Sequence, residues 1–143
     1  MKVVVDTSIW IDHFSRKNPE LLTLLATGAA LAHPFVLGEL RCGSLPHPRA
    51  RTLTAIEELQ HSEPVHIDEV IHLIEVEKIF GKGCGLVDMF LVMSTLKTPD
   101  ARLWASDKRL AAIARRLGIA HDETPARPMA GLNMQLTAAC PTA

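Results

Sequence analysis

The run KVVVD at positions 2–6 constrains the fold more than any other feature of this sequence. Three consecutive β-branched residues without polar alternation are typical of a strand that is buried on both faces of a parallel sheet. The run ends in Asp6, and Thr7 and Ser8 then supply polar side chains suited to the start of a helix. A parallel sheet needs helices on its faces, so the N-terminus alone predicts an α/β protein.

The rest of the sequence continues this alternation of strands and helices. Two further strands are predicted, a weak one at 30–32 and a stronger one at 101–107, and residues 119–121 are a candidate last strand. The segment at 65–67 fits either a minor strand or a connector. Helices are predicted to follow Thr7, to begin at Asn18 and Pro34, and to cover 48–61, 68–80, 87–97 and 108–118. We therefore predict a three-layer α/β/α fold with a central, mostly parallel sheet.

The composition fits one compact domain. The chain has 143 residues, of which 48% are hydrophobic, enough to bury a core without disulfides or a structural metal. Its 15 Lys and Arg against 16 Asp and Glu give a net charge of -1, so the overall basic character of a non-specific nucleic-acid binder is missing. Aromatic content of 4% argues against a platform for stacking single-stranded bases. Any contact with nucleic acid must therefore be local.

Several features predict a cytoplasmic protein with no membrane span. The three cysteines are odd in number and widely spaced, which suits a reducing compartment and matches no zinc-binding pattern. The N-terminal apolar run is too short for a secretory signal. The longest uncharged stretch, at 21–38, is divided by Gly28, His33 and Pro34, so it predicts helix, turn and strand rather than a membrane helix.

Four carboxylates occupy strand ends and helix starts. In a sheet of this kind, ligands bind outside the carboxyl ends of the strands, where Asp6 and Asp107 are predicted to lie. Asp88 is in the opening turn of a helix that is expected to begin near the same edge, and Glu39 belongs to the helix after the second strand. Each has an ordinary alternative, because Asp6 and Asp107 are also suited to cap helices and Asp88 to favour a helix dipole.

Glu39 is the least expected of these residues. With a helix after Pro34, it shares a stripe at the i, i+3, i+4, i+7 spacing with Val36, Leu40 and Gly43, and such a stripe faces a core. A buried carboxylate must be paired, protonated or bound to a metal. The alternative is a glutamate at the edge of the stripe that reaches solvent or pairs with Arg41.

Convergence of the four carboxylates would predict a metal centre. Crowded carboxylates repel one another, and hard divalent cations such as Mg²⁺ or Mn²⁺ with oxygen ligands compensate that charge. One or two such ions, in the latter case about 4 Å apart, activate water and stabilise the leaving oxygen of a phosphodiester. The predicted chemistry is therefore phosphodiester hydrolysis.

Four segments resemble, in order and spacing, the acidic motifs of the PIN domain, and in particular the small VapC toxins of bacterial toxin-antitoxin pairs. These segments are VVVDTSIWID, VLGELRCG, GCGLVDMFLVMS and LWASDKRL. The resemblance covers residues 3–121, so we assign a PIN domain to 1–121 and a C-terminal tail to 122–143, packed on the domain or extending from it.

The resemblance implies a toxin endoribonuclease that hydrolyses RNA phosphodiesters with a metal-activated water. Its acidic quartet, which is also the implied metal-ligand set, would be Asp6, Glu39, Asp88 and Asp107. Thr7 or Ser8 would support the first aspartate, with Ser106 as a further supporting residue. The implied partners are an RNA substrate, a VapB-like antitoxin and a second copy of the chain, and helices near 9–25 and 45–61 are our candidates for the partner groove.

The sequence departs from the family pattern at the last motif. Many relatives have Thr or Ser two residues before the last acid, where this chain has Ala105 with Ser106 beside it. Some have a further acidic residue just after, where this chain has Lys108 and Arg109. Both departures bear on a second metal position.

Two other functions compete with a ribonuclease. A non-catalytic PIN-like binding module would use the same fold without the chemistry. A phosphatase-like α/β enzyme would use Asp6 as a covalent nucleophile, but the common pattern has a second Asp where this chain has Ser8. The glycine-rich segment 81–85 lacks the ending of a phosphate-binding Walker loop, which favours a turn before Asp88.

Overall fold

The computed structural model describes residues 1–122 of the chain. Within them, seven helices surround a three-stranded sheet. The strands are β1 (Lys2–Val5), β2 (Ala30–Leu31) and β3 (Ala101–Trp104). The helices are α1 (Thr7–Ser15), α2 (Pro19–Ala26), α3 (Pro34–Cys42), α4 (Arg49–Glu57), α5 (Ile67–Glu77), α6 (Leu86–Lys97) and α7 (Lys108–Arg116). The prediction for the tail falls, apart from Asp122, outside the described residues.

The sheet is entirely parallel, with strand order β2-β1-β3. The central strand β1 contributes Val3, Val4 and Val5, whose side chains are 1%, 0% and 0% exposed, so both faces of the strand are covered. This confirms the predicted three-layer α/β/α fold. Burial of three successive valines on opposite faces also explains why the run has no polar alternation.

Single bridges extend the sheet at both edges. Leu103 pairs in parallel with Ala120, within the candidate last strand at 119–121. On the other side, Ala32 pairs with His61, not with the segment 65–67, which leads into α5 instead. The prediction of a helix through His61 is therefore wrong at its C-terminal end, because the chain must leave the helix after Glu57 to reach the sheet.

Helix ends follow local rules. Gly28 after α2 and Gly118 after α7 have φ values of 71° and 75°, a left-handed conformation that glycine adopts without steric cost. Asn18 caps α2 by accepting hydrogen bonds from two backbone N–H groups, and Pro19 begins that helix as predicted.

The helix that carries Asp88 is anchored at its far end. The buried Ser94 hydroxyl lies 2.7 Å from the Ser62 hydroxyl and 2.6 Å from the Glu63 carbonyl oxygen. These bonds join α6 to the segment that extends the sheet next to β2. In residues 1–122, every helix is too short or too polar to cross a membrane.

Candidate active site

Two of the predicted site residues lie at the carboxyl edge of neighbouring strands. Val5, the last residue of β1, pairs with Trp104, the last residue of β3. Asp6 follows β1 directly, and its backbone N–H donates to the Trp104 carbonyl oxygen over 3.0 Å. The prediction that the strand continues to Asp107 is wrong, since β3 ends at Trp104 and a short turn places Asp107 at the start of α7.

A hydrogen-bond chain links Asp6 to the turn before Asp107. Asp6 is 8% exposed, and its Oδ2 accepts from the Ser8 backbone N–H at 3.2 Å and the Ser8 hydroxyl at 2.6 Å. The Ser8 Oγ accepts from the Ser106 backbone N–H at 3.2 Å. Ser8 therefore holds the first carboxylate and also ties it to the end of β3, while Ser106 takes part through its main chain.

Glu39 joins the same edge through Thr7. The Thr7 hydroxyl donates to Glu39 Oε1 over 2.5 Å, which brings α3 against the start of α1. The expectation that Glu39 faces the core is wrong: Val36, Leu37 and Leu40 form the buried face of α3, and Glu39 is exposed. Thr7 thus orients Glu39, whereas Ser8 orients Asp6.

Asp88 is half-buried in the first turn of α6. Its Oδ2 accepts from the Gly85 backbone N–H at 3.2 Å, closing the start of the helix. The pKa of Asp88 is raised above its ordinary value, first by burial and then by the charges of Asp6, Asp107 and Glu39, while the Gly85 bond acts in the opposite direction. The charges of the other three members of the acidic quartet therefore all act on Asp88.

Asp107 caps α7 and has an arginine partner. Its Oδ1 accepts from the backbone N–H groups of Arg109 and Leu110 at 2.8 and 3.1 Å, and its Oδ2 lies 3.3 Å from Nη2 of Arg109. These hydrogen bonds, led by the one from Leu110, lower the pKa of Asp107. Asp107 therefore caps α7 and is also one of the carboxylates at this edge of the sheet.

Each carboxylate in the quartet uses one oxygen to support local structure. In Asp6, Glu39 and Asp88 the other oxygen receives no hydrogen bond from residues 1–122, and in Asp107 it meets only the exposed guanidinium of Arg109. An all-oxygen, anionic donor set of this kind fits Mg²⁺ or Mn²⁺ by its chemistry. This fit concerns only the type and the charge of the donor atoms. Within the described residues, no three Asp, Glu, His or Cys side chains are arranged as a ready-made metal site.

Two neighbours of the quartet were not assigned by the sequence. The Cys84 thiol is partly buried, and its pKa is raised by burial and by the charges of Asp88 and Asp107. In the sequence, Arg109 stands out only as a departure from the family motif, yet its side chain pairs with Asp107. The sequence does place Arg109 two residues after a predicted helix cap. Side chains in the first turn of a helix tilt toward its N-terminus, so this position could have indicated the pair with Asp107.

The chain combines a three-layer α/β/α domain with carboxylates at the carboxyl edge of its parallel sheet, as the PIN-domain resemblance implies. No protein-family model matches the sequence. Ribonuclease VapC32 of Mycobacterium tuberculosis, in strains CDC 1551 and H37Rv, is 37% identical over 118 residues, which cover 82% of this chain and 94% of the relative. The chain therefore belongs to the VapC family of PIN-domain ribonucleases.

Proposed function

We propose that this protein is a metal-dependent endoribonuclease and the toxin of a VapBC-type toxin-antitoxin pair. The observation that carries the proposal is the network joining Glu39 to Thr7 and Asp6 to Ser8 and Ser106, which gathers carboxylates from separate elements at one sheet edge. A relative named as a ribonuclease supports RNA as the substrate. An RNA substrate and the low cysteine content also support a cytoplasmic location.

In this proposal the acidic quartet holds Mg²⁺ or Mn²⁺. When bound, the ion activates water and stabilises the charge that develops on the phosphodiester. The chain's own contribution is orientation: Ser8 and Thr7 fix the Asp6 and Glu39 carboxylates, and the helix starts fix Asp88 and Asp107. Repulsion among these charges favours a cation at this edge, since a cation relieves it.

A cleavage assay tests the proposed activity. Purified protein is incubated with a panel of structured and single-stranded RNAs in Mg²⁺, in Mn²⁺ and in chelator. Metal-dependent appearance of internal cuts supports the proposal. Metal-dependent RNA binding without cuts would favour the non-catalytic binding module, and release of phosphate from p-nitrophenyl phosphate with RNA left intact would favour the phosphatase-like enzyme.

The antitoxin part of the proposal rests on a groove between α1, α2 and α4. This groove has a volume of about 430 Å³ and an apolar lining that includes Trp10, Phe14 and Ile56. Lys17 and Arg51 also line it, so it suits a partner segment that combines apolar and acidic side chains. The groove lies within the helices that the sequence identified as candidates.

A matched pair of variants on α4 tests this groove. Ala55 lines it, whereas Ala50 is exposed on the same helix outside it. When a candidate VapB-like protein is co-expressed, Ala55→Glu should prevent its copurification and Ala50→Glu should not. Equal retention of that protein by both variants would exclude the groove as its site.

Self-association is proposed through α5. Ile67 and Ile71 lie one helical turn apart and are 44% and 50% exposed, so they form an apolar strip on the surface of α5. Light scattering should detect a dimer that Ile71→Glu converts to a monomer. Leu22→Glu, which replaces a leucine on α2 that is 44% exposed, should leave the dimer intact, and a monomeric parent at high concentration would contradict the proposal.

A further inference from the structure

The side chain of Arg109 lies between Asp107 and the loop that leads into Asp88. A Cβ atom added at Gly83 would lie 2.9 Å from both Cδ and Nη1 of Arg109, so this glycine leaves the space that the side chain occupies. On its other side, Nη2 of Arg109 lies 3.3 Å from Oδ2 of Asp107. The guanidinium therefore lies at the acidic edge, in space that Gly83 leaves open.

The ion pair between Arg109 and Asp107 is suited to replacement of either partner by another charged group. The two side chains are 64% and 43% exposed, and ion pairs of that exposure are weak because water screens them. The cap of α7 does not depend on the pair, since Asp107 uses its other oxygen for the backbone N–H groups. Among the described residues, Asp107 is the one hydrogen-bond acceptor of this guanidinium, so most of its donors remain free for another anion.

We propose that Arg109 is a substrate-positioning residue that exchanges Asp107 for a phosphate of the RNA. The inference rests on the proposed function and adds a role for a residue outside the acidic quartet. With a divalent cation bound, Asp107 would give up the guanidinium, because the two positive groups compete for the same carboxylate. The released guanidinium then binds a phosphate next to the bond that is cut.

Charge and geometry both favour this assignment. The quartet alone would repel a polyanion, so RNA needs a positive group at this edge besides the metal. A guanidinium matches phosphate oxygens with paired N–H donors, which an ammonium group does not. The adjacent Lys108 lies in different surroundings, because it lines a cavity with Trp104 and Arg115 that none of the four carboxylates lines.

The first arm of the test measures metal binding without RNA. Calorimetric titration with Mg²⁺ should show that Arg109→Gln binds the ion about three- to tenfold more tightly than the parent, since a competing positive charge has been removed. Lys108→Gln loses the same charge one residue away and should change the affinity less than twofold. Equal affinities for the parent and Arg109→Gln would overturn the exchange with Asp107.

The second arm measures RNA cleavage at saturating Mg²⁺, with a fluorescent single-stranded RNA that the parent cleaves. Arg109→Gln should raise KM about tenfold with a smaller change in kcat, and the slope of log KM against log salt should fall by about 0.7, the value for one lost phosphate contact. Arg109→Lys should restore the salt slope but only part of KM. An unchanged KM, or a loss shared by Lys108→Gln, would overturn the phosphate role.

The two arms separate this inference from the proposed function. A parent protein that neither binds Mg²⁺ nor cuts RNA would defeat the proposed function itself. A parent that does both, with Arg109→Gln indistinguishable from it, would defeat the inference alone. A variant that is only less stable, with parental metal affinity and KM, would assign Arg109 a purely structural role.

Discussion

The starts of α6 and α7 each place a carboxylate at the same edge of the sheet, but the pKa of one carboxylate is raised and the pKa of the other is lowered. Asp88 is half-buried in the first turn of α6, and burial with three neighbouring carboxylates raises its pKa. Asp107 is exposed at the cap of α7, and hydrogen bonds from the backbone and Arg109 lower its pKa. Both residues accept a bond from a helix N-terminus.

This difference shows that a position at a helix start does not by itself set the charge of a carboxylate. A helix N-terminus favours the ionised form of either residue. Burial overrides that effect at Asp88, whereas nothing opposes it strongly at Asp107. Of these two residues, Asp88 is the one whose ionised form the proposed cation would favour more, and Asp107 is the one that already has a positive neighbour.

The largest expected effect is on cleavage by Asp88→Asn. The amide has nearly the same volume but is a much poorer ligand for Mg²⁺, so RNA cleavage should fall by about 10²–10³-fold or more. Asp12→Asn, which changes an exposed carboxylate of α1 away from the edge, should cleave RNA like the parent. Retention of cleavage by Asp88→Asn would reduce Asp88 to a helix-capping residue, and the measurement is the initial rate at saturating Mg²⁺.

The start of α3 is capped by a buried histidine, which is a third kind of titratable helix cap in this protein. His33 is 4% exposed and caps α3 by accepting from the Phe35 backbone N–H at 3.0 Å, and burial, aided by the charge of His61, lowers its pKa from 6.5 to about 4. Since the unfolded chain takes up the proton first, the stability from neutral His33 is complete above pH 6.5 and is lost as the pH falls through about 4. The loss should reach no more than about 3 kcal/mol.

Denaturant unfolding between pH 7 and pH 4 measures this loss. His33→Asn keeps an oxygen acceptor for the cap but does not titrate, so its stability should change less over that range than the parent's. His72→Asn, an exposed histidine of α5, should retain the parental pH dependence. Parallel curves for the parent and His33→Asn would show that burial does not control this helix start.

Mg²⁺ should stabilise the parent and Asp88→Asn to different extents. A ligand at a hundred times its Kd stabilises the folded state by about 2.7 kcal/mol through mass action. The variant should gain much less at the same concentration, because one ligand of the quartet is lost. Equal shifts of Tm in a Mg²⁺ titration of the two proteins would place the ion somewhere other than Asp88.

The smallest effect, in chelator, should have opposite signs for the two carboxylates. Because the pKa of Asp88 is raised from 3.8, the folded protein becomes less stable as the pH rises through the range above 3.8, and Asp88→Asn should melt higher than the parent at pH 7. Because the pKa of Asp107 is lowered from 3.8, its ionised form stabilises the fold above that value, and Asp107→Asn should melt lower.

Melting curves at pH 7 and at low pH test this sign difference. Both differences from the parent should shrink as the pH falls, since protonation makes each aspartate resemble its amide. If Asp88→Asn melts below the parent in chelator, crowding of carboxylates does not strain the folded state. Ionisation of Asp88 would then not destabilise the folded protein, and the proposed difference between the two helix starts would be wrong.

The sequence alone predicted the features that depend on neighbours a few residues apart. The valine run of β1, the Asn18 and Pro19 start of α2 and the glycines that end helices all follow from local backbone chemistry. The order of the motifs also identified the family, which the similarity to Ribonuclease VapC32 confirms. Local rules failed where the sheet needed a particular partner, as at the end of α4 and at His61.

Only the tertiary structure decided which groups meet at the acidic edge. Thr7 meets Glu39 across a separation of 32 residues, and Ser8 meets Ser106 across 98. The periodicity of α3 put Glu39 on the apolar stripe, but the packing of Val36 and Leu37 turned it outward to Thr7. The spacing of residues within one helix or strand fixes the face on which a side chain lies. The residues that this side chain contacts depend on how distant elements pack. For this reason the sequence did not reveal the position of Arg109 beside Gly83.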